Sequence, residues 1–119
     1  MRAKTDGADL ALPTMTSVPG AALASVAFGS LSFSDGCFSL TSSVNGRRMD
    51  LVWPVSYRAG TSPLGVYDAH GRLVARPGDK ITFGGGPEVL AHVSHGTVMN
   101  TGCLTGARTA WFISSVGHA

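Results

Sequence analysis

The sequence predicts an all-β fold: a small antiparallel β-barrel of about six or seven short strands, OB-like or a meander. A compact β-sandwich is the alternative arrangement. Three observations lead there. Apolar and polar residues alternate in short runs, turn-forming residues recur between those runs, and no helical stripe extends over a dozen residues. At 119 residues with 16 glycines and 13% charged residues, the chain has the composition of one turn-rich globular domain. Meander connectivity, glycine kinks and an expected bulge favour the barrel, since these devices let a sheet curl and close.

Residues 1–21 show no sustained period and are expected to be a flexible lead-in to a single domain over 22–119. Val26 and Phe28 alternate, as do Leu31 and Phe33, but the two pairs are out of phase by one residue. A bulge at Gly29-Ser30 would turn both pairs towards one core. Ser34-Asp35-Gly36 makes the next turn, after which Phe38, Leu40 and Val44 share a face. Asn45-Gly46 suits a two-residue type I′ loop, returning into a strand over 48–53 that Pro54 ends.

The clearest pattern lies in residues 64–86, read as strand, turn, strand, turn, strand of a meander. Asp68-Ala69-His70-Gly71 forms the first turn, Asp starting it and Gly accepting a left-handed backbone. Arg76-Pro77-Gly78-Asp79 forms the second, with the proline–glycine centre of a type II turn. Gly84-Gly85-Gly86 is expected to kink or bulge the chain at the end of the third strand. Residues 87–107 lack a period, and residues 109–116 make the last strand.

Taken together and in order, several motifs resemble a group of small uncharacterised actinobacterial proteins that are often exported or lipoprotein-like. The motifs are Gly36-Cys37-Phe38, Leu51-Val52-Trp53-Pro54, residues 68–75 (DAHGRLVA), Gly78-Asp79, Gly84-Gly85-Gly86 and Cys103. The resemblance covers about residues 24–115. It implies a small β-barrel, export or a cell-envelope location, and linkage of Cys37 to Cys103, but no activity. A bridge between cysteines 66 positions apart would restrict the unfolded chain by roughly 4 kcal/mol in the loop-entropy account. Two separate thiols in a reducing cytosol are the other reading. The start departs from the group. Arg2 and Lys4 are followed by Asp6 and Asp9, with Pro13 and Pro19 beyond, so neither a secretory leader nor a lipid-attachment cysteine is evident. A cytoplasmic protein is expected if the chain starts at this Met1, and an exported one if a leader lies upstream.

The candidate chemistry is sparse. A formal charge of +2, with Arg47-Arg48 the only adjacent basic pair, gives no strong electrostatic case for nucleic acid or acidic lipid. No run of 18 apolar residues occurs, so no transmembrane helix is expected. The glycine triplet is followed by Pro87-Glu88 rather than by the lysine and helix of a phosphate-binding loop. No carboxylates are spaced as a general acid and base, and neither cysteine has a histidine placed to activate it. The leading expectation is therefore a non-enzymatic binding or structural module without a cofactor, its partner another protein or an envelope component. An OB-like binder of nucleic acid or oligosaccharide would use a face of Tyr57, Tyr67, Arg72 and Arg76. A metal-binding protein would use His92 and His95, whose i, i+3 spacing places both on one side only if they sit on a helical turn.

Overall fold

The computed structural model describes residues 12–16, 25–94, 96–104 and 106–118. Among these, regular structure is β-strand apart from two 3₁₀ turns, Leu90–His92 and Thr101–Leu104. The strands are β1 (Thr14–Met15), β2 (Ser25–Ser34), β3 (Cys37–Ser42), β4 (Arg48–Val52), β5 (Arg58–Thr61), β6 (Leu64–Tyr67), β7 (Leu73–Ala75), β8 (Lys80–Val89), β9 (Val98–Met99) and β10 (Thr109–His118).

Five strands form the main sheet in the order β10-β4-β3-β2-β8, and β8 also pairs with β10, so the series of neighbours returns to its start. Strands β2, β3 and β4 follow one another antiparallel, and β8 comes back beside β2 after a long connection. That is Greek-key connectivity. Strands β5, β6 and β7 make a separate antiparallel meander inserted between β4 and β8. The meander of residues 64–86 is thus divided. Its first two strands are β6 and β7, but its third, β8, leaves to pair with β2 and β10.

β4 and β10 are the one parallel pair of the main sheet, with Leu51 opposite Trp111 and Val52 opposite Phe112. Side chains alternate faces along a strand. Leu51, Trp53, Trp111 and Ile113 enter the main core with Leu31, Leu40, Ile81 and Phe83, while Val52, Ala110 and Phe112 enter a second cluster with Met15 and Leu104. Both faces are covered, which explains why LVW and AWFI are unbroken apolar runs rather than alternating ones. The cover on the second face comes from β1, β9 and the loops around them. Residues 12–15, expected within a flexible lead-in, are buried, and Met15 N–H donates to the Trp53 carbonyl at 2.9 Å.

The expected bulge at Gly29-Ser30 is absent. β2 keeps one register with each neighbour, so Ala27, Gly29 and Leu31 face inward and Val26 and Phe28 stand 53% and 50% exposed. Gly29 explains the difference: a Cβ there would collide with the Thr41 carbonyl. The bare backbone admits the close approach of β3 where the β8 and β3 ladders overlap on β2, without an added residue. The true irregularity lies across from the glycine triplet, which sits inside β8 rather than ending it. Gly85 pairs with Ile113 and Gly84 with Ser115, so Ser114 is bulged out of register. At Gly85, φ is +139° and a Cβ would collide with the Phe112 carbonyl.

The type I′ geometry also falls elsewhere. Asp35 and Gly36 both have positive φ, closing β2 onto β3 with Ser34 opposite Cys37. At Asn45-Gly46 only the glycine has positive φ. The Asn45 side chain instead accepts the Arg47 N–H at 2.9 Å, and residues 43–46 form a longer loop that leaves Val44 exposed. The other two turns are as expected: Asp79 N–H donates to the Arg76 carbonyl across Pro77-Gly78, and Gly71 N–H donates to that of Asp68.

These placements set measurable costs. Leu31→Ala is expected to destabilise by about 2–5 kcal/mol, whereas Val26→Ser and Phe28→Ser cost under about 1 kcal/mol each in urea unfolding. Gly85→Ala is expected to cost about 2–4 kcal/mol, because strain and collision coincide there.

Candidate functional site

Among the described residues, three surface features that could receive a ligand stand out, each set by a different part of the chain. The first is the 90–108 connection between β8 and β10. Its ties include the Cys37–Cys103 disulfide, the β1–β9 pairing, a Thr16 hydroxyl donating to the Gly96 carbonyl at 2.8 Å, and Leu90 N–H donating to the Arg108 carbonyl at 2.9 Å. Held in this way, the connection borders an open, mainly apolar hollow of about 490 Å³, lined by Leu90, Val93, Val98, Leu104 and Ala107 together with Ser94, Gly96 and Thr101. Its floor is continuous with the second hydrophobic cluster, to which these aliphatic residues belong. No charged side chain lines it among the described residues.

The second feature is a cleft of about 170 Å³ where β4 and β10 begin and β8 ends. Met49, Pro87 and Trp111 give it an apolar lining, and Arg48, Asp50 and Arg108 are its charged groups. Arg48 and Asp50 stand two residues apart on β4, hence on one face, and pair at 3.0 Å. The buried indole N–H of Trp111 has no acceptor among the described residues.

The third is a shallow depression beside the small meander, lined by Arg58, Thr61, Tyr67 and Gly71. It lies nearest the expected Tyr57, Tyr67, Arg72 and Arg76 face, but the four side chains do not form a stacking surface. Tyr57 is half-buried and stacks on Trp53 with ring centroids 6.3 Å apart. Its phenol is pushed above the ordinary 10.0, first by burial and then by the charge of Asp68, so it serves as a neutral packing ring. Tyr67 lies over the bare backbone of Gly60 and donates its hydroxyl to the Pro63 carbonyl at 2.6 Å. Arg72 and Arg76 are exposed turn residues.

His92 is exposed on the first 3₁₀ turn, and its expected partner His95 lies outside the described residues. Among the described residues no group of three or more His, Cys, Asp or Glu could hold a metal ion. Cys103, in the same connection, is bonded to Cys37. Among the described residues no helix is long and apolar enough to cross a membrane. No local sequence pattern marks either the hollow or the cleft. The hollow is assembled from an aperiodic loop, and the cleft joins residues up to 63 positions apart, from Arg48 to Trp111.

Comparison with models of known protein families, with characterised proteins and with solved structures found no match.

Asp68 offers a local electrostatic test. Its carboxylate accepts the backbone N–H groups of Arg72 and His70 at 3.0 and 2.9 Å, and the Arg72 bond is the main cause holding it below the ordinary 3.8. A depressed folded value stabilises the turn above pH 3.8, and that contribution is lost as the pH falls through the folded midpoint. Carboxyl-carbon NMR should therefore place the Asp68 midpoint below 3.8. Asp68→Ala should remove this part of the acid dependence of stability.

Proposed function

We propose that this protein is a non-catalytic binding module: a small OB-like barrel that presents the disulfide-pinned 90–108 connection to a protein partner in an oxidising compartment. The observation that carries this reading is the apolar hollow held open by the pinned connection. A loop with two short 3₁₀ turns and one two-residue strand would ordinarily collapse onto the sheet or sample many conformations. Here it is covalently tied to the start of β3, so an apolar concavity is preorganised and little ordering cost is left for binding. The hollow has room for a large apolar side chain from a partner, with Ser94 and Thr101 as polar residues of its lining.

Two further points support the reading. The Greek-key order of the five-stranded ring, with the loop preceding its last strand forming the concavity, is the arrangement by which OB-type barrels place ligands beside their loops. That is a fold-level analogy, and the site chemistry must decide the ligand. A structural disulfide persists outside the reducing cytosol, which favours an exported or envelope location.

Intact-mass measurement with thiol alkylation, on protein from its native host, is expected to find both thiols blocked until reduction. Two freely alkylated thiols would withdraw the compartment. Cys37→Ser combined with Cys103→Ser should lower Tm by on the order of 10–30 °C. The hollow is tested with N-phenyl-1-naphthylamine, a neutral apolar fluorophore. Its emission should rise on binding, and Val93→Arg, in a variant whose circular dichroism shows it still folded, should weaken that binding at least fivefold. No enhancement, or enhancement unaffected by Val93→Arg, would overturn the hollow as the binding site. Salt-dependent binding of single-stranded DNA would instead favour a nucleic-acid module.

A further inference from the structure

We infer that the cleft between the starts of β4 and β10 and the end of β8 is a second, separate binding site, for the oxyanion of a small organic acid. The class of ligand follows from the balance of donors and acceptors. Two guanidinium groups, Arg48 and Arg108, line a space that contains one carboxylate, Asp50. Asp50 is already engaged by Arg48 at 3.0 Å, and no ion pair engages Arg108 among the described residues. One positive charge is therefore surplus, carried on a planar fork of donors suited to a carboxylate or phosphate.

Trp111 also lines the cleft and is only 7% exposed, its side chain belonging to the main core. Its indole N–H, like that of Trp53, is buried without an acceptor among the described residues, so Trp111 serves as a reporter of the cleft and not as a ligand donor. The site thus offers guanidinium donors in excess of its one carboxylate.

Met49, Pro87 and Trp111 line the cleft beside the arginines, so a ligand with an apolar body as well as an acidic group has contacts there that a bare inorganic ion lacks. At about 170 Å³ the cleft has room for a small planar or aliphatic body carrying one acidic group. Arg48 and Asp50 on β4, and Trp111 on β10, place most of the lining on strands, which gives the site a rigid frame.

The test uses the full oxidised chain. The protein has two tryptophans, so its two indole N–H resonances can be assigned by a single Trp111→Phe variant. Benzoate and phenyl phosphate are titrated at constant ionic strength, with benzamide as the neutral equivalent. The expected result is a saturable shift of the Trp111 resonance with at least one anion and at least tenfold weaker binding of benzamide. Arg108→Gln should weaken the anion at least tenfold, whereas Arg72→Gln, altered outside the cleft, should leave it unchanged. Arg108 is exposed, so the Gln variant is expected to keep the wild-type spectrum elsewhere. A response to phenyl phosphate alone would assign a phosphorylated ligand, and a response to benzoate alone a carboxylic acid. No shift with either anion, equal binding of benzamide, or a shift that survives Arg108→Gln would overturn the site. Because the probe of the apolar hollow is neutral, the two sites fail independently.

Discussion

The parallel contact between β4 and β10 is the constraint on which the other parts of the structure depend. This pair is buried on both faces, and the sequence supplies apolar side chains to both: Leu51, Trp53, Trp111 and Ile113 on one side, Val52, Ala110 and Phe112 on the other. The inner set is met by the main core. The outer set would face water if the chain held nothing over it. β1, β9 and the 90–108 connection provide that cover, so a loop without any periodic pattern is nonetheless fixed in place. The disulfide reinforces the arrangement by fastening the loop to β3, a neighbour of β4.

Closing the series of five strands sets a second condition, close approach of backbones where strands bend or cross. Gly29 meets it where the β8 and β3 ladders overlap on β2, with the Thr41 carbonyl occupying the space of a missing Cβ. Gly85 meets it where β8 crosses the bulge in β10. The unbroken in–out alternation along β2 leaves Val26 and Phe28 facing solvent despite their hydrophobicity. Single exposed apolar side chains are ordinary on protein surfaces and cost little.

The same framework separates the two proposed sites by chemistry. On one side of the β4–β10 pair, the covering loop leaves a mainly apolar hollow with Ser94 and Thr101 in its lining. At the starts of those strands, charge gathers instead, since Arg48, Asp50 and Arg108 lie at strand ends where side chains can reach water. Tyr57 and Tyr67, which alternation alone would allow as a stacking surface, are drawn into packing by Trp53 and by the bare backbone of Gly60. The inserted meander therefore supports the core, through Ala59, Val66 and Ala75, more than it presents a surface.

Local chemistry was legible in the residues. The all-β class, the turns at Asp68-Gly71 and Pro77-Gly78, and the last strand follow from φ preferences and short-range hydrogen bonds that neighbours in sequence can satisfy. The pairing of Cys37 with Cys103 was implied by resemblance to other chains, and the structure contains it. Non-local choices were not legible. Asp35-Gly36 and Asn45-Gly46 are both able to form a type I′ turn, and only the register of β2 on β3 selects the first. The separation of β8 from β7, the outward turn of Phe28, and the meeting of Arg48, Arg108 and Trp111 depend on which distant strand becomes a neighbour. Tertiary structure decides such matters because pairing energy is gained only after the chain between partners has been closed into a loop, whereas a turn is stabilised by the residues that form it.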